Sequence, residues 1–432
     1  MAIALREALN APNLEVMNFL NEVVMRYPDA ISFAPGRPAE SLFDVAESFD
    51  RWRPYVEAVC AESGLPAERV LARLGQYGKT NGVINGQIAR HLELDHGVKV
   101  TPEAIMVTCG CQEAMAILLM GLFDPGRDVL LVSDPTYIGI TGLAQILGVT
   151  VVPVEAGADG LEPEAVRRAV GEVEASGRRA RAVYEMPDFN NPLGTLMPLA
   201  NRQALTEVAR EHDLLIFEDN PYGMFSYDGE PPPLLKALDQ QGEHEPRVIY
   251  LGTVSKTLFP GLRLGYLVAD QEVLTAAGPR LLALELSRIK SLTTVNTPHL
   301  CQAVVGGILH EEGGSLQRIV DRKLGFYRRN RDLILECLEE AVGGHPNLRG
   351  KVRWNRPAGG FFLTVDLPFE FDEACLTACA EDYGVICCPM SFFAIASRRE
   401  RQIRLSFSYL SEQQIRDGIR QLAAFLATKV AA

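Results

Sequence analysis

Short apolar runs recur along the chain, each about four to eight residues long and mostly of buried type. They read AIMVTCG, DVLLVSDPTY, VTVVPVEA, RAVYEMPD, LLIFEDNPY, VIYLGTVSK and LGYLVAD. Between several of them lie stretches such as PLANRQALTEVAREHD, whose apolar residues fall three to four apart, the period of a helix packed on one side. Runs that are apolar on both faces and alternate with helices predict a largely parallel sheet covered on both sides, an α/β fold. The last third changes character. A helical stretch from about 313 to 342 precedes KVRWNRPAGGFFLTVDLP and RQIRLSFSYL, which read as strands with turns, and SEQQIRDGIRQLAAFLATKV, which reads as a closing amphipathic helix. Three segments follow from this. Residues 1–45 form an arm, helical then extended, that belongs with the smaller unit or with a partner subunit; 46–312 form a large α/β domain; 313–432 form a small α+β domain.

Composition narrows the function classes. A length of 432 residues exceeds what one compact core serves, and 47% hydrophobic with 22% charged residues is globular composition. The net charge of −13, with no basic face or arm, argues against a nucleic-acid partner. The longest apolar stretches fall short of a membrane span. The first thirty or so residues carry acidic side chains and lack the apolar core of a secretory leader. Nine cysteines, with Cys109/Cys111 and Cys387-Cys388 as the close pairs, match no zinc spacing and read as reduced thiols of a cytoplasmic protein that holds no metal.

The candidate chemistry sits where the apolar runs end. CGCQE, DPTY, PDFNNPLG, EDNPYG and TVSK each follow a predicted strand, and ligands of open α/β sheets bind beyond the carboxyl ends of strands. Lys256 comes straight after one of these strands, crowded by Thr253, Ser255, Thr257 and Arg263. Hydroxyls and a guanidinium suit an anion, and a lysine buried beside cations loses its proton more readily. Together they predict a cofactor held by Lys256.

Ser255-Lys256, followed by Pro260-Gly261-Leu262-Arg263 and Gly265, closely resembles the lysine signature of class I/II aminotransferases, the fold-type-I pyridoxal-phosphate enzymes. YGKTNG, CGCQEAM, DPTY, PDFNNPLG, EDNPYG, GTVSKTLFPGLRLGY, PAGGFF and IRLSFSYL stand in the family's order and spacing over nearly the whole chain. The branch containing 2-aminoadipate and kynurenine aminotransferases is the most similar. The resemblance implies a mostly parallel mixed sheet covered by helices, with a smaller α+β domain, and pyridoxal 5'-phosphate as cofactor. It also implies a homodimer with shared active sites, acting in amino-acid metabolism or biosynthesis.

The same resemblance assigns roles. Lys256 forms the Schiff base and shuttles the substrate α-proton. Asp219, which alone reads as a turn or cap aspartate, becomes the partner of the pyridine nitrogen. Asn191 and Tyr222 hold the phenolic oxygen, and Tyr137 stacks on the ring. Gly110, Cys111 and Gln112 precede a predicted helix and present amides to the phosphate, joined by Thr253, Ser255 and Arg263. Tyr77 resembles the tyrosine that reaches the phosphate from the neighbouring subunit. Arg404 clamps the substrate carboxylate, although strand alternation alone would place it on an exposed face.

Departures from the pattern gather near the substrate. Pro35-Gly36-Arg37-Pro38 replaces the usual Gly-Gly-Leu-Pro of a loop bordering the substrate pocket, so Gly36 and Arg37 join Asn191 and Arg404 as candidate substrate contacts, with Arg37 suited to an acidic or phosphorylated side chain. VICCPMSFF and the asparagines Asn81 and Asn85 are also unusual. An aminotransferase acting on an L-amino acid and a 2-oxo acid is the first reading. The alternative is an elimination, replacement or cyclisation enzyme resembling the aminocyclopropane-carboxylate synthases, acting on S-adenosylmethionine in specialised metabolism. A transcription regulator is set aside, because only about thirty helical residues precede AISFAPG, too few for a DNA-binding module.

Overall fold

The computed structural model describes residues 3, 5–10, 14 and 16–431; the parts of the expected 1–45 arm outside these lie outside the described residues. The apolar runs become an eight-stranded sheet. In chain order its strands are β1 (Ile105–Thr108), β2 (Asp128–Asp134), β3 (Thr150–Gly157), β4 (Gly160–Leu161), β5 (Arg179–Glu185), β6 (Leu215–Asn220), β7 (Val248–Thr253) and β8 (Gly265–Val268). Their spatial order is β1-β8-β7-β6-β5-β2-β3-β4. The pairs β7/β6, β6/β5, β5/β2 and β2/β3 are parallel, while β8 runs antiparallel to both of its neighbours. The sheet is therefore mostly parallel but mixed.

Alternation along each strand explains the continuous apolar runs. Leu130, Val132, Tyr184 and Phe217 point into one buried layer, and Val129, Leu131, Val183 and Ile216 into the other. Both faces are covered by helices, so neither can be polar. The strands β1, β2, β5, β6 and β7 share one direction, which brings CGCQE, DPTY, PDFNNPLG, EDNPYG and TVSK to the same edge.

A second sheet is antiparallel and smaller. It consists of β9 (Arg353–Trp354), β10 (Phe362–Asp366), β11 (Cys388–Pro389) and β12 (Gln402–Ser406), in the order β9-β10-β12-β11. The helices Gln317–Leu338 and Glu412–Ala431 pack with it around Ile334, Leu338, Leu363, Leu405 and Leu422. The extended N-terminal pair Ile31–Ser32 runs parallel to Val385–Ile386, and Phe33 is buried in this same cluster. No helix among the described residues is long and apolar enough to cross a membrane.

Candidate active site

The polar strand ends and the second sheet enclose a cavity of about 330 Å³. Of the residues singled out in the sequence, Lys256, Gly110, Cys111, Gln112, Tyr137, Asn191, Asp219, Tyr222, Thr253, Ser255, Arg263, Gly36 and Arg404 all line it.

One end is built to hold an anion. Gly110, at φ +77°, caps the N-terminus of α1 (Cys111–Leu122), whose first amides have no partners within the helix. Any side chain at Gly110 would place its Cβ 2.9 Å from Nη2 of Arg263, so the guanidinium lies directly against the helix start. Arg263 itself sits in the left-handed region at φ 47°, held there by the Pro260–Leu262 turn. The hydroxyl of Thr253 donates to that of Ser255 at 3.0 Å. Amides, hydroxyls and a guanidinium converge as a phosphate requires. The Cys111 thiol donates to the Gly252 carbonyl at 3.2 Å, which leaves the backbone amide of this position at the helix start.

The other end holds the titratable pair. Asp219 lies at the end of β6, wholly buried, and burial pushes its carboxyl up to about 6. Two groups oppose that rise: the Tyr184 hydroxyl, which donates to Oδ2 at 2.6 Å, and the charge of Lys256. Burial and the neighbouring Arg263 pull the Lys256 ammonium down to about 8, and Nζ donates to the Gly36 carbonyl at 3.0 Å. The neutral amine is the nucleophile. Reductive methylation of Lys256 in the apoprotein, followed by peptide mass spectrometry, should therefore rise with pH through a midpoint near 8. A midpoint at the ordinary 10.5 would contradict this environment.

Arg404, on β12, is buried between the rings of Phe362 and Phe393, 4.3 and 4.6 Å from their centroids. Nη1 donates to Oδ1 of Asn191 at 2.6 Å and Nη2 donates to the Ala34 carbonyl, while Nε has no partner among the described residues. Gly36 must be glycine, because a Cβ there would stand 2.1 Å from the Phe362 ring. The face that alternation marked as polar is thus not exposed: Arg404, Ser406 and Ser408 are all buried.

Two predicted residues lie elsewhere. The Tyr77 side chain is 82% exposed. Arg37 turns away from the cavity, its side chain 54% exposed, stacked 4.6 Å over the Tyr409 ring and paired with Glu40. Its carbonyl, not its guanidinium, is engaged, accepting from the Ser408 hydroxyl at 2.6 Å. The unusual residues are structural too. Cys387 and Cys388 are buried in the core of the second sheet, and Asn85 donates to the carbonyls of Asn81 and Ile105.

Other residues contribute in ways that the sequence does not announce. The Asp134 carboxylate accepts the amides of Ile395, Ala396 and Ser397 at 2.8 to 2.9 Å, tying down the loop that carries Phe393. Asp188, paired with the buried Arg202, accepts from Asn220 at 2.8 Å, and Asn220 accepts the Gly223 amide at 2.7 Å. That chain fixes the turn presenting Tyr222. Only the stretches DPTY and PDFNNPLG hinted at these carboxylates, and nothing local marked Tyr184.

The family model for aminotransferase class I and II matches residues 73–422. The chain is 41% identical over 430 residues to an (S)-3,5-dihydroxyphenylglycine transaminase of Amycolatopsis orientalis, covering 99% of this chain and 94% of that protein. It is 29% identical over 435 residues to aromatic-amino-acid aminotransferase 1 of Thermococcus litoralis, covering 97% and 96%. Its fold is similar to that of kynurenine aminotransferase from Pyrococcus horikoshii, with a TM-score of 0.82 at 29% identity over 100% and 98% of the two chains. The chain belongs to the class I and II aminotransferases, and it is a pyridoxal-phosphate-dependent enzyme.

Proposed function

We propose that this aminotransferase moves the amino group between an L-amino acid bearing an aryl side chain, an arylglycine foremost, and a 2-oxo acid. The observation that carries the reading is the use of charge in the cavity. Among the described residues lining it, the cations are Lys256, Arg263 and Arg404. All three are committed, Lys256 to covalent attachment, Arg263 to the phosphate and Arg404 to the α-carboxylate. Among the described residues lining the cavity no further cation faces an acidic side chain, and Arg37 is turned outward. The remaining wall includes Val24, Ile138, Met186, Phe362 and Phe393, which suits an aromatic ring. The names of the similar transaminases, for dihydroxyphenylglycine and aromatic amino acids, support the same class.

Pyridoxal phosphate, when bound, supplies a protonated ring that accepts the electron pair left as the substrate Cα–H bond breaks. The protein's part is binding and proton handling. The Gly110–Gln112 amides, Thr253, Ser255 and Arg263 hold the phosphate. Asp219 keeps the proton on the ring nitrogen, Asn191 and Tyr222 hold the phenolic oxygen, and Tyr137 packs on the ring. Arg404 and Asn191 orient the substrate carboxylate, and Gly36 lets the Phe362 ring pack against the backbone beside them. Lys256 Nζ, as the neutral amine, would take the proton from the substrate Cα and hold it for return.

We infer a cytoplasmic homodimer in which Tyr77 serves the partner's phosphate. The exposure of Tyr77 supports this, as does its place beside the start of helix His299–Glu311: Gly78 packs on His299, and Leu300 is 57% exposed. Nine free cysteines fit a reducing compartment. We read residues 46–312 as the cofactor-holding unit, and 313–432 with the 1–45 arm as the smaller one. The strand pairing of Ile31–Ser32 with Val385–Ile386 supports that division.

The test is a set of half-reactions. Holoenzyme is mixed with single amino acids and no oxo acid, and the cofactor spectrum and product masses are followed. Hydroxylated phenylglycines should convert the cofactor to its aminated form fastest, each with one equivalent of keto acid. Preference for aspartate, glutamate or 2-aminoadipate would overturn the aryl assignment. Loss of a side-chain leaving group from S-adenosylmethionine without amination would point instead to the elimination or cyclisation chemistry.

A further inference from the structure

Asp219 has a partner that none of the site motifs contains. Tyr184 lies on β5, and register pairs it with Phe217 of β6, so its side chain projects on the same face as Asp219 two residues further along. Both are fully buried, and the hydroxyl reaches Oδ2 at 2.6 Å. An O–H···O⁻ bond of that length is charge-assisted. With Oδ2 occupied, the other oxygen is the one Asp219 offers to the cavity it lines.

We propose that Tyr184 is a positioning residue for the reaction: its hydroxyl orients the Asp219 carboxylate toward the cofactor's ring nitrogen and holds that carboxylate ionised. The inference rests on the reading of Asp219 as the ring-nitrogen partner.

The surroundings make this bond consequential. The titratable groups facing Asp219 are Lys256 from the loop after β7, Tyr137 from the loop after β2, Cys111 from α1, Tyr222 from the turn after β6, and Tyr184 itself. Burial pushes the tyrosines and the thiol upward, so at neutral pH they are uncharged. Lys256 is the one cation among the groups that favour the ionised carboxylate. Tyr184, whose proton is held far above the neutral range, donates throughout.

The experiment compares wild type, Tyr184→Phe and Asp219→Asn. In apoprotein carrying ¹³C-carboxyl aspartate, the infrared band lost in Asp219→Asn identifies the carboxyl, and its titration is followed. In wild type the midpoint should lie near 6. In Tyr184→Phe it should rise by about one to two pH units, the equivalent of one charged hydrogen bond. Binding of pyridoxal phosphate to the variant should weaken about threefold to tenfold at pH 7, and the gap should close toward pH 9 as the carboxylate ionises regardless. Lys256 titrates in the same range, so variant and wild type are compared at each pH. Once cofactor saturates, kcat should fall while KM for the amino donor holds.

An unmoved midpoint with a pH-independent loss of affinity, or a lowered melting temperature alone, would make Tyr184 merely structural and overturn the proposal. If Asp219→Asn itself leaves cofactor affinity and kcat unchanged, the assignment of Asp219 fails instead. The two failures are thereby distinct.

Discussion

Lys256→Ala will bind pyridoxal phosphate without the visible band of a lysine-linked cofactor, and its kcat will fall by about 10⁴-fold or more. The lysine does two things that alanine cannot. In the proposed reaction it attaches the aldehyde, and it carries a proton, a contribution of about 10²–10⁴ by itself. The cavity is arranged to keep the amine usable: burial and Arg263 lower its affinity for a proton, and the Gly36 carbonyl holds the group in place at 3.0 Å. Lys256→Arg is the sharper control. It preserves charge and approximate length but never deprotonates, so it should be as inactive as alanine. Neither change touches Gly110, Ser255 or Arg263, the groups proposed to hold the phosphate, and cofactor should still be retained, measured as bound phosphate after gel filtration. Activity within tenfold of wild type in either variant would remove Lys256 from the chemistry.

The parts of this site that could be read from the sequence are those carried by contiguous loops. GTVSKTLFPGLRLG, CGCQE and EDNPYG each hold their own backbone geometry, so local residue order reports it. The same is true of the buried strands, whose unbroken apolar runs follow from helices on both faces. Contacts between strands distant in sequence were illegible for the opposite reason. Tyr184 sits in RAVYEMPD as one more apolar position, and only the parallel register of β5 and β6 sets it against Asp219. Asp134 reads as a turn residue, yet its carboxylate binds the amides of residues 395–397, more than two hundred and fifty positions away. Arg37 shows the converse error. A cation in a pocket-bordering loop suggests an anion ligand, but side-chain direction is decided by packing, and Tyr409 with Glu40 draws it outward. Alternation in RQIRLSFSYL sets Arg404, Ser406 and Ser408 on one face, and all three are buried. It could not tell a face turned to water from one turned to an enclosed site, since both demand polar residues.

That enclosed face makes the second large effect. Arg404→Gln should lower kcat/KM for amino acids by about 10²–10⁴, the loss of two charge-assisted bonds at roughly 1.5–3 kcal/mol each. The guanidinium is already posed for a carboxylate. Asn191 and the Ala34 carbonyl fix its plane, the rings of Phe362 and Phe393 flank it, and Nε is left unpaired among the described residues. Burial weakens its hold on its proton, so the charge is held at a cost that a carboxylate would offset. Glutamine keeps a donor for Asn191 and Ala34 but supplies neither charge nor fork. The carboxylate is present in ground state and transition state alike, so most of the loss should appear in KM. An amine of the same side chain without the carboxylate separates this from general damage: wild type and variant should process it at similar, slow rates. A loss equal for amine and amino acid would mean that Arg404 supports the fold of the site and not the substrate. The clamp would then fall to Arg263, the other arginine among the described residues lining the cavity, which lies against the Gly110 helix start.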